Sequence, residues 1–164
     1  MRYQHWSLAL SLTLVLIFMT GLYGQSMQEK NKEVMKTLYE QVVNQKNVEK
    51  IDELLVDGFV EHERQPDQPE GKAGVKEYFN SLHSAFPDIK FTVNDMVAAD
   101  DKVWSYITIT GTHKGTFMGV EATGNKIKTE TVDIVRFENG KAAEHWGVTD
   151  TGKMMQQMGM MGEK

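Results

Sequence analysis

Near the end of the chain, Asn139-Gly140 stands between two runs that each suit an extended strand. Asn-Gly is the dipeptide of the type I′ hairpin, because both central residues of that turn need φ > 0. Thr131-Val132-Asp133-Ile134-Val135-Arg136-Phe137 leads into it, and Ala142 to Val148 returns. The pair fixes two neighbouring antiparallel strands, so the fold must contain a sheet built from hairpins. Successive side chains of a strand face opposite ways. Glu144, Trp146, Val148 and Asp150 therefore share one face of the returning strand, and His145 takes the other. A carboxylate beside Trp and Val is placed to titrate abnormally if that face lines an apolar cavity. The competing reading makes Asp150 a helix N-cap, since a helical Met-Met-Gln-Gln run follows it.

Upstream, the apolar period changes once. Glu29 to Gln45 is expected to be a helix, with Val34, Leu38 and Val42 on its stripe and Met35, Tyr39 and Val43 beside them. Asn47 is expected to cap a short second helix that turns Val48, Ile51, Leu54 and Leu55 inward. Asp57-Gly58 predicts a turn, and Phe59 to Glu63 a short extended piece. Ala73 to Ala85 predicts a third helix with Val75, Tyr78, Phe79, Leu82 and Phe86 on one stripe, stopped by Pro87. From Ile89 the period becomes two: Ile89, Phe91 and Val93 alternate with polar residues, and Asp100-Asp101-Lys102 turns the chain. Val103 to Thr110 is a strand of aromatic and β-branched residues, and the glycines between Gly111 and Gly119 predict a bend or bulge before Lys126 to Phe137. Helices first and hairpin-connected strands after them give an α+β fold with an antiparallel sheet, not a βαβ winding.

The 164 residues are enough for one domain with its own core. Arg2 is the only charged Asp, Glu, Lys or Arg side chain before Glu29, and Leu8 to Met19 is apolar. That plan is a secretory signal peptide over residues 1–26, with cleavage after Ser26 or, as a rival, after Gly24. The domain would then be residues 27–164 of an exported protein. The alternative is an uncleaved membrane anchor, for which the apolar run is short. The chain has no cysteine, so no disulfide framework supports it. A net charge of −5 and no basic patch interleaved with aromatics argue against nucleic acid as a partner.

Four chemical constellations can be weighed on spacing alone. His62, His113 and His145 lack the tight spacing of metal ligands, and catalytic zinc needs three that converge. Gly111 to Gly119 lacks the Lys-Ser/Thr ending of a phosphate loop. No G-x-S-x-G elbow offers a nucleophilic serine. The tail from Met154 to Met161 has the soft thioethers that bind Cu(I), but such a run more often packs flexible side chains into a gap. Neither a metal nor a cofactor is expected.

The segments Phe59-Val60-Glu61-His62, Ala85-Phe86-Pro87-Asp88, Gly111-Thr112-His113-Lys114-Gly115, Ala122-Thr123-Gly124, Phe137-Glu138-Asn139-Gly140-Lys141, Glu144-His145-Trp146, Asp150 and Gln156-Gln157-Met158-Gly159 occur in order across the chain. In that order and spacing the chain resembles the SnoaL-like polyketide cyclases, also called ester cyclases, from about Glu33 to Gly159. The resemblance implies a cone-shaped α+β fold, shared with nuclear transport factor two and ketosteroid isomerase, in which helices close a strongly curved sheet around an apolar pocket. It implies an intramolecular aldol condensation of a polyketide ester with an Asp as general acid/base and no metal. The family's catalytic Asp falls on Asp150 and a pocket His on His62, with Trp146, Tyr39, Phe79 and His113 assigned to the pocket. Met158 departs from the family's usual Leu, and the leader departs from a cytoplasmic setting.

Two functions follow from the resemblance. One is a small lyase or isomerase in which Asp150 takes a proton next to a carbonyl while His62 or Trp146 orients the substrate. The other is an extracytoplasmic binding module for a small apolar molecule. Trp104, Tyr106 and the threonines beside them make one face of the long strand amphipathic, so a homodimer is expected.

Overall fold

The computed structural model describes residues 25–64 and 67–160. All but the last two residues of the expected leader lie outside the described residues. Among the described residues, no helix is long and apolar enough to cross a membrane.

The first helix, α1, runs through residues 25–37 and continues as a π-helical turn over Leu38–Asn44. Such turns widen the helix and often mark functional sites. Met35, Tyr39, Val42 and Val43 are all buried on it. Its last side chain does a strand's work: Asn44 Nδ2 donates to the Phe91 carbonyl at 3.1 Å, and Phe91 N–H donates to Asn44 Oδ1 at 2.8 Å. A 3₁₀ turn over Val48–Lys50 leads into the short α2, Ile51–Leu54. Asn47 precedes that turn but makes no side-chain cap. Ile51, Leu54 and Leu55 are buried as expected, and Val48 is partly so.

The expected turn at Asp57-Gly58 is absent: both residues lie inside β1, Leu55–Glu61. The register with the neighbouring strand shifts between Leu55 and Val60, so the Asp-Gly pair is an irregularity within a strand. The third helix, α3, spans Gly71–Ala85 and buries Val75, Phe79 and Leu82 against the sheet, with Phe86 at its end. Four long strands follow: β2 (Lys90–Ala99), β3 (Lys102–Thr112), β4 (Lys126–Glu138) and β5 (Lys141–Thr149). A last helix, α4 (Thr151–Met158), buries Met154 and Met158. Its Gln157 pins β4, accepting from Lys128 N–H at 2.7 Å and donating to the Lys128 carbonyl at 3.1 Å. Met154 and Met158 of the Met-rich run therefore fill the space between α4 and the sheet.

The five strands lie in the order β1-β5-β4-β3-β2, and the sheet is not closed. The four long strands are antiparallel, as the hairpin signals predicted. At the edge, β1 adds to β5 in parallel, which makes the sheet mixed. No hairpin signal announces that pairing, because it joins segments far apart in sequence. Asn139 and Gly140 adopt φ of 50° and 76°, as the type I′ turn requires. The concave face, covered by α1 and α3, carries Val103, Ile107, Ile109, Ile127, Val135 and Phe137 into the core.

Candidate functional site

One irregularity decides which side chains of β5 enter the core. Phe137 pairs with Ala142, but the next pair is Arg136 with Glu144, so Ala143 is an extra residue on β5. A bulge of one residue moves every later side chain to the opposite face. Counting by twos from the buried Ala142 would put Glu144 and Trp146 inside. Beyond the bulge it is His145 that pairs with the buried Val135, and Gly147 that pairs with Asp133. His145 and Asp133 thus meet on the concave face.

Around them lies a compact polar cluster in an otherwise apolar core. His145 Nδ1–H donates to both carboxylate oxygens of Glu61, each at 2.8 Å. Its Nε2 stands 3.6 Å from Asp133 Oδ1. Asp133 also accepts from the Tyr39 hydroxyl at 3.0 Å and the Thr131 hydroxyl at 3.2 Å. The side chains of His145, Glu61 and Asp133 keep 23%, 17% and 14% of their surface exposed, so the cluster is recessed but open to solvent. Each arrives by a different route: Glu61 on the parallel edge strand, Asp133 on β4, His145 past the bulge, Tyr39 on the π turn.

The charges set each group's state. Burial pulls the His145 imidazolium toward neutrality, but hydrogen bonds and charge from Asp133 and Glu61 outweigh it and raise its pKa to about 10. His145 is therefore a cation at neutral pH, held between two carboxylates. Burial, and then the Asp133 charge, raise the Tyr39 phenol well above its ordinary value, so its hydroxyl keeps its proton and donates. The sheet surface beside Nε2 is bare. A Cβ on Gly147 would lie 3.1 Å from His145 Cε1, 3.5 Å from Nε2 and 3.9 Å from Asp133 Oδ1. A side chain at this position would crowd the imidazole, so glycine lets His145 sit against β5 beside Asp133.

The residues singled out from the sequence are distributed differently. Tyr39 joins the cluster. Phe79 is buried one residue along α3 from Tyr78, with the two rings edge to face at 5.5 Å. His113 is fully buried at the far end of the core, stacked on Phe86, with Nδ1 3.1 Å from the Thr123 hydroxyl and no partner for Nε2 among the described residues. Trp146 and His62 lie on the convex face, their rings stacked at 4.4 Å. There His62 Nε2 sits 3.0 Å from Glu144 Oε2, and Arg136 Nε donates to Glu144 Oε1 at 2.7 Å. Asp150 is exposed and caps α4, its Oδ1 accepting from Lys153 N–H at 3.0 Å. The expected burial against Trp146 and Val148 does not occur, because that face of β5 points outward and Val148 is 70% exposed. The three histidines first weighed as ligands occupy three separate environments. Among the described residues, no three His, Asp or Glu side chains are arranged to hold a metal ion.

A test separates the cap from the cluster. Asp150→Ala removes the α4 cap and should lower unfolding stability by about 1 kcal/mol in denaturant melts. Any catalysed turnover should persist within a fewfold. Loss of turnover by orders of magnitude would return the acid/base role to Asp150.

Asp133 and Glu61 carried no distinguishing sequence signal. Two surface recesses of about 400 and 320 Å³ lie elsewhere, one lined by Asp88, Thr112, Lys126 and Gln157, the other between α1 and β2. Tyr39 is also among the residues lining the second. The chemistry is concentrated in neither.

Residues 33–158 match the sequence model of the SnoaL-like polyketide cyclase family. Among solved structures, TsrD from Streptomyces laurentii superposes with a TM-score of 0.76 at 22% identity, covering 82% of this chain and 98% of its own. IdmH from Streptomyces antibioticus gives 0.68 at 29% identity, covering 79% and 98%. A SnoaL-like polyketide cyclase from Agrobacterium tumefaciens gives 0.67 at 19% identity, again covering 79% and 98%. No functionally curated protein matches the chain.

Proposed function

The chain belongs to the SnoaL-like polyketide cyclase family, and from that premise we propose that it moves a proton next to a carbonyl at the Glu61–His145–Asp133 cluster. The observation that carries this is a recessed imidazolium whose Nε2 stands 3.6 Å from the Asp133 carboxylate, beside Gly147. Asp133 is the general base and His145 the electrostatic partner.

In the proposed reaction Asp133 takes a proton from the carbon beside a carbonyl. The C–H electron pair moves onto the carbonyl oxygen as an enolate, which accepts a hydrogen bond from His145 Nε2–H. The enolate carbon then attacks a second carbonyl of the same molecule, forming the new C–C bond. The resulting alkoxide recovers the proton from Asp133. Every proton returns, so the cycle requires no metal and no redox partner. Glu61 keeps the imidazole in its charged, correctly oriented form. Because its pKa is raised, His145 is a poor proton donor and a good hydrogen-bond donor, which suits stabilising an enolate rather than quenching it.

The test needs no natural substrate. Wild-type protein should catalyse exchange of the α-proton of simple β-keto esters into deuterated buffer, followed by proton NMR. Exchange no faster than buffer across such a panel would remove the catalytic reading and leave the binding module.

We also propose that the protein is exported and works as a homodimer paired through the convex face of its sheet. Trp104, Ile134 and Trp146 lie side by side across β3, β4 and β5, and Tyr106, Val132 and Val148 form the next row. Trp104 and Tyr106 are 44% and 42% exposed, a large apolar area for a monomer to leave in water. Native mass spectrometry of protein from its own cell envelope reads both properties. The expected mass is twice that of a chain lacking its leader. A monomer, or a chain of full length, would overturn one proposal or the other.

A further inference from the structure

Toward the concave face β4 presents a polar row: Thr129, Thr131 and Asp133, each two residues from the next. The two hydroxyls are spent differently. Thr129 donates to the Asp150 carbonyl at 3.0 Å and so fixes the start of α4. Thr131, only 4% exposed, donates to Asp133 Oδ1 at 3.2 Å and accepts from the Thr149 hydroxyl at 2.9 Å. Thr149 is the cross-strand partner of Thr131, and as the last residue of β5 it is exposed. A continuous line of hydroxyls therefore runs from the carboxylate, through a buried threonine, to the surface. It ends on the oxygen that faces His145 Nε2 at 3.6 Å, while Tyr39 holds the other oxygen at 3.0 Å.

Packing does not require this line, since Val has the shape of Thr and buries no polar group. A hydroxyl can donate and accept at once, which is what a proton path needs. With Asp133 ionised, both hydroxyls donate toward it. Once Asp133 has taken a proton the line can reverse. Oδ1–H passes its proton to Thr131 Oγ1, Thr131 passes its own to Thr149 Oγ1, and Thr149 gives its own to bulk water. Each hydroxyl loses one O–H bond and gains one, and the carboxylate is left ionised. The Asp133 side chain keeps only 14% of its surface open, and a substrate resting on that opening closes the direct path to water.

We propose that Thr131 and Thr149 form a proton relay between Asp133 and solvent, through which the base exchanges its proton while a substrate is bound. This rests on the function proposed for the cluster. Neither threonine touches the substrate; both act through Asp133. It adds that the proton returned at the end of the cycle is drawn from water rather than kept from the substrate.

The probe is ethyl acetoacetate, whose α-proton exchange into deuterated buffer is followed by proton NMR. Full-length wild-type protein is compared with Thr149→Ser, Thr149→Ala, Thr149→Val and Asp133→Asn across a range of pH. Thr149→Val should lose about tenfold in exchange, short of the two to four orders of magnitude lost with the base itself. Thr149→Ser should keep most of the exchange, because the hydroxyl remains. Thr149→Ala should fall between them, since a water can occupy the space at this exposed position and replace the hydroxyl. Stability should follow the opposite order, because strand propensity favours Val over Ala. Thermal melts read that order and show that each variant is folded. The pH at which exchange is half-maximal should not move in Thr149→Val. A shift of that pH would make the threonines a static support for the carboxylate and overturn the relay. A loss in Thr149→Ala as large as in Thr149→Val would overturn it too. Exchange abolished in Asp133→Asn but undiminished in Thr149→Val would remove the relay and leave the base. A wild-type protein that exchanges no faster than buffer would remove the base, and the relay with it.

Discussion

Asp133→Asn should slow catalysed α-proton exchange by about two to four orders of magnitude, the range a positioned general base contributes. The substitution is nearly isosteric. Its amide oxygen can still accept from the Tyr39 hydroxyl, which lies 3.0 Å from Oδ2 in the wild type. Glu61 still holds His145 through Nδ1 at 2.8 Å, so the imidazolium keeps its main partner. What is lost is the lone pair able to take a proton from carbon and the negative charge opposite Nε2. Near-native melts with abolished exchange are therefore the expected pair of observations. Exchange that survives in Asp133→Asn would sink the role given to this carboxylate. The comparison with Asp150→Ala matters here, because the two variants should separate cleanly: one loses exchange with little stability, the other a little stability with exchange kept.

That separation turns on a single residue of β5, and it marks where sequence reasoning reached its limit. The hairpin at Asn139-Gly140, the helix-then-strand order and the stripe of α3 were all legible, because each follows from local conformational preference or period. The partition of Glu144, Trp146 and Val148 from His145 was legible too. Which of the two faces was inside was not. Ordinarily polarity decides, but here the convex face carries Trp104, Ile134, Val132 and Trp146 while the concave face carries Asp133, Ser105 and Thr131. Both faces are mixed, and the bulge at Ala143 reversed the count by twos. A bulge on Ala143, beside a second alanine at 142, leaves no composition signal, since alanine suits either face. Glu61 was hidden for another reason: its partner His145 lies 84 residues away across a parallel pairing. Asp150 was attractive because it ends a strand beside Trp, yet the same position is where a helix needs a cap.

The site is a compromise between folding and function. An apolar core would be more simply stable without two carboxylates and an imidazolium, since burying charge is costly unless every member is paired. Here every member is paired, and the one loose contact is the 3.6 Å gap at Nε2. That contact lies beside Gly147, where a Cβ would stand 3.5 Å from Nε2 and 3.9 Å from Asp133 Oδ1.

His145 carries the largest consequence for stability, and the direction with pH follows from its linkage. Its ordinary pKa is 6.5 and its folded value about 10. Below about 6.5 the imidazole is charged in both folded and unfolded chains, so its stabilising contribution is fully present. Between the two values only the folded chain holds the proton, so stability falls with rising pH. Above about 10 the contribution is gone. The other shifted groups in the core act elsewhere on the scale. Tyr39 and Tyr78, with raised phenols, reduce stability only above pH 10. His83, lowered by burial, weakens the fold only toward the acid side of 6.5. Denaturant melts from pH 6 to pH 10 should thus show a steady loss amounting to a few kcal/mol, on the scale of the shift. In His145→Gln that slope should largely vanish. At pH 7 the variant should be less stable than wild type by about 3–5 kcal/mol, because Glu61 and Asp133 then face each other without the cation between them. Lowering the pH to 5 should restore part of the loss, as protonation of a carboxylate relieves the repulsion. A His145→Gln protein whose stability still fell between pH 7 and 10 as steeply as the wild type would mean that the cation is not held as the geometry requires.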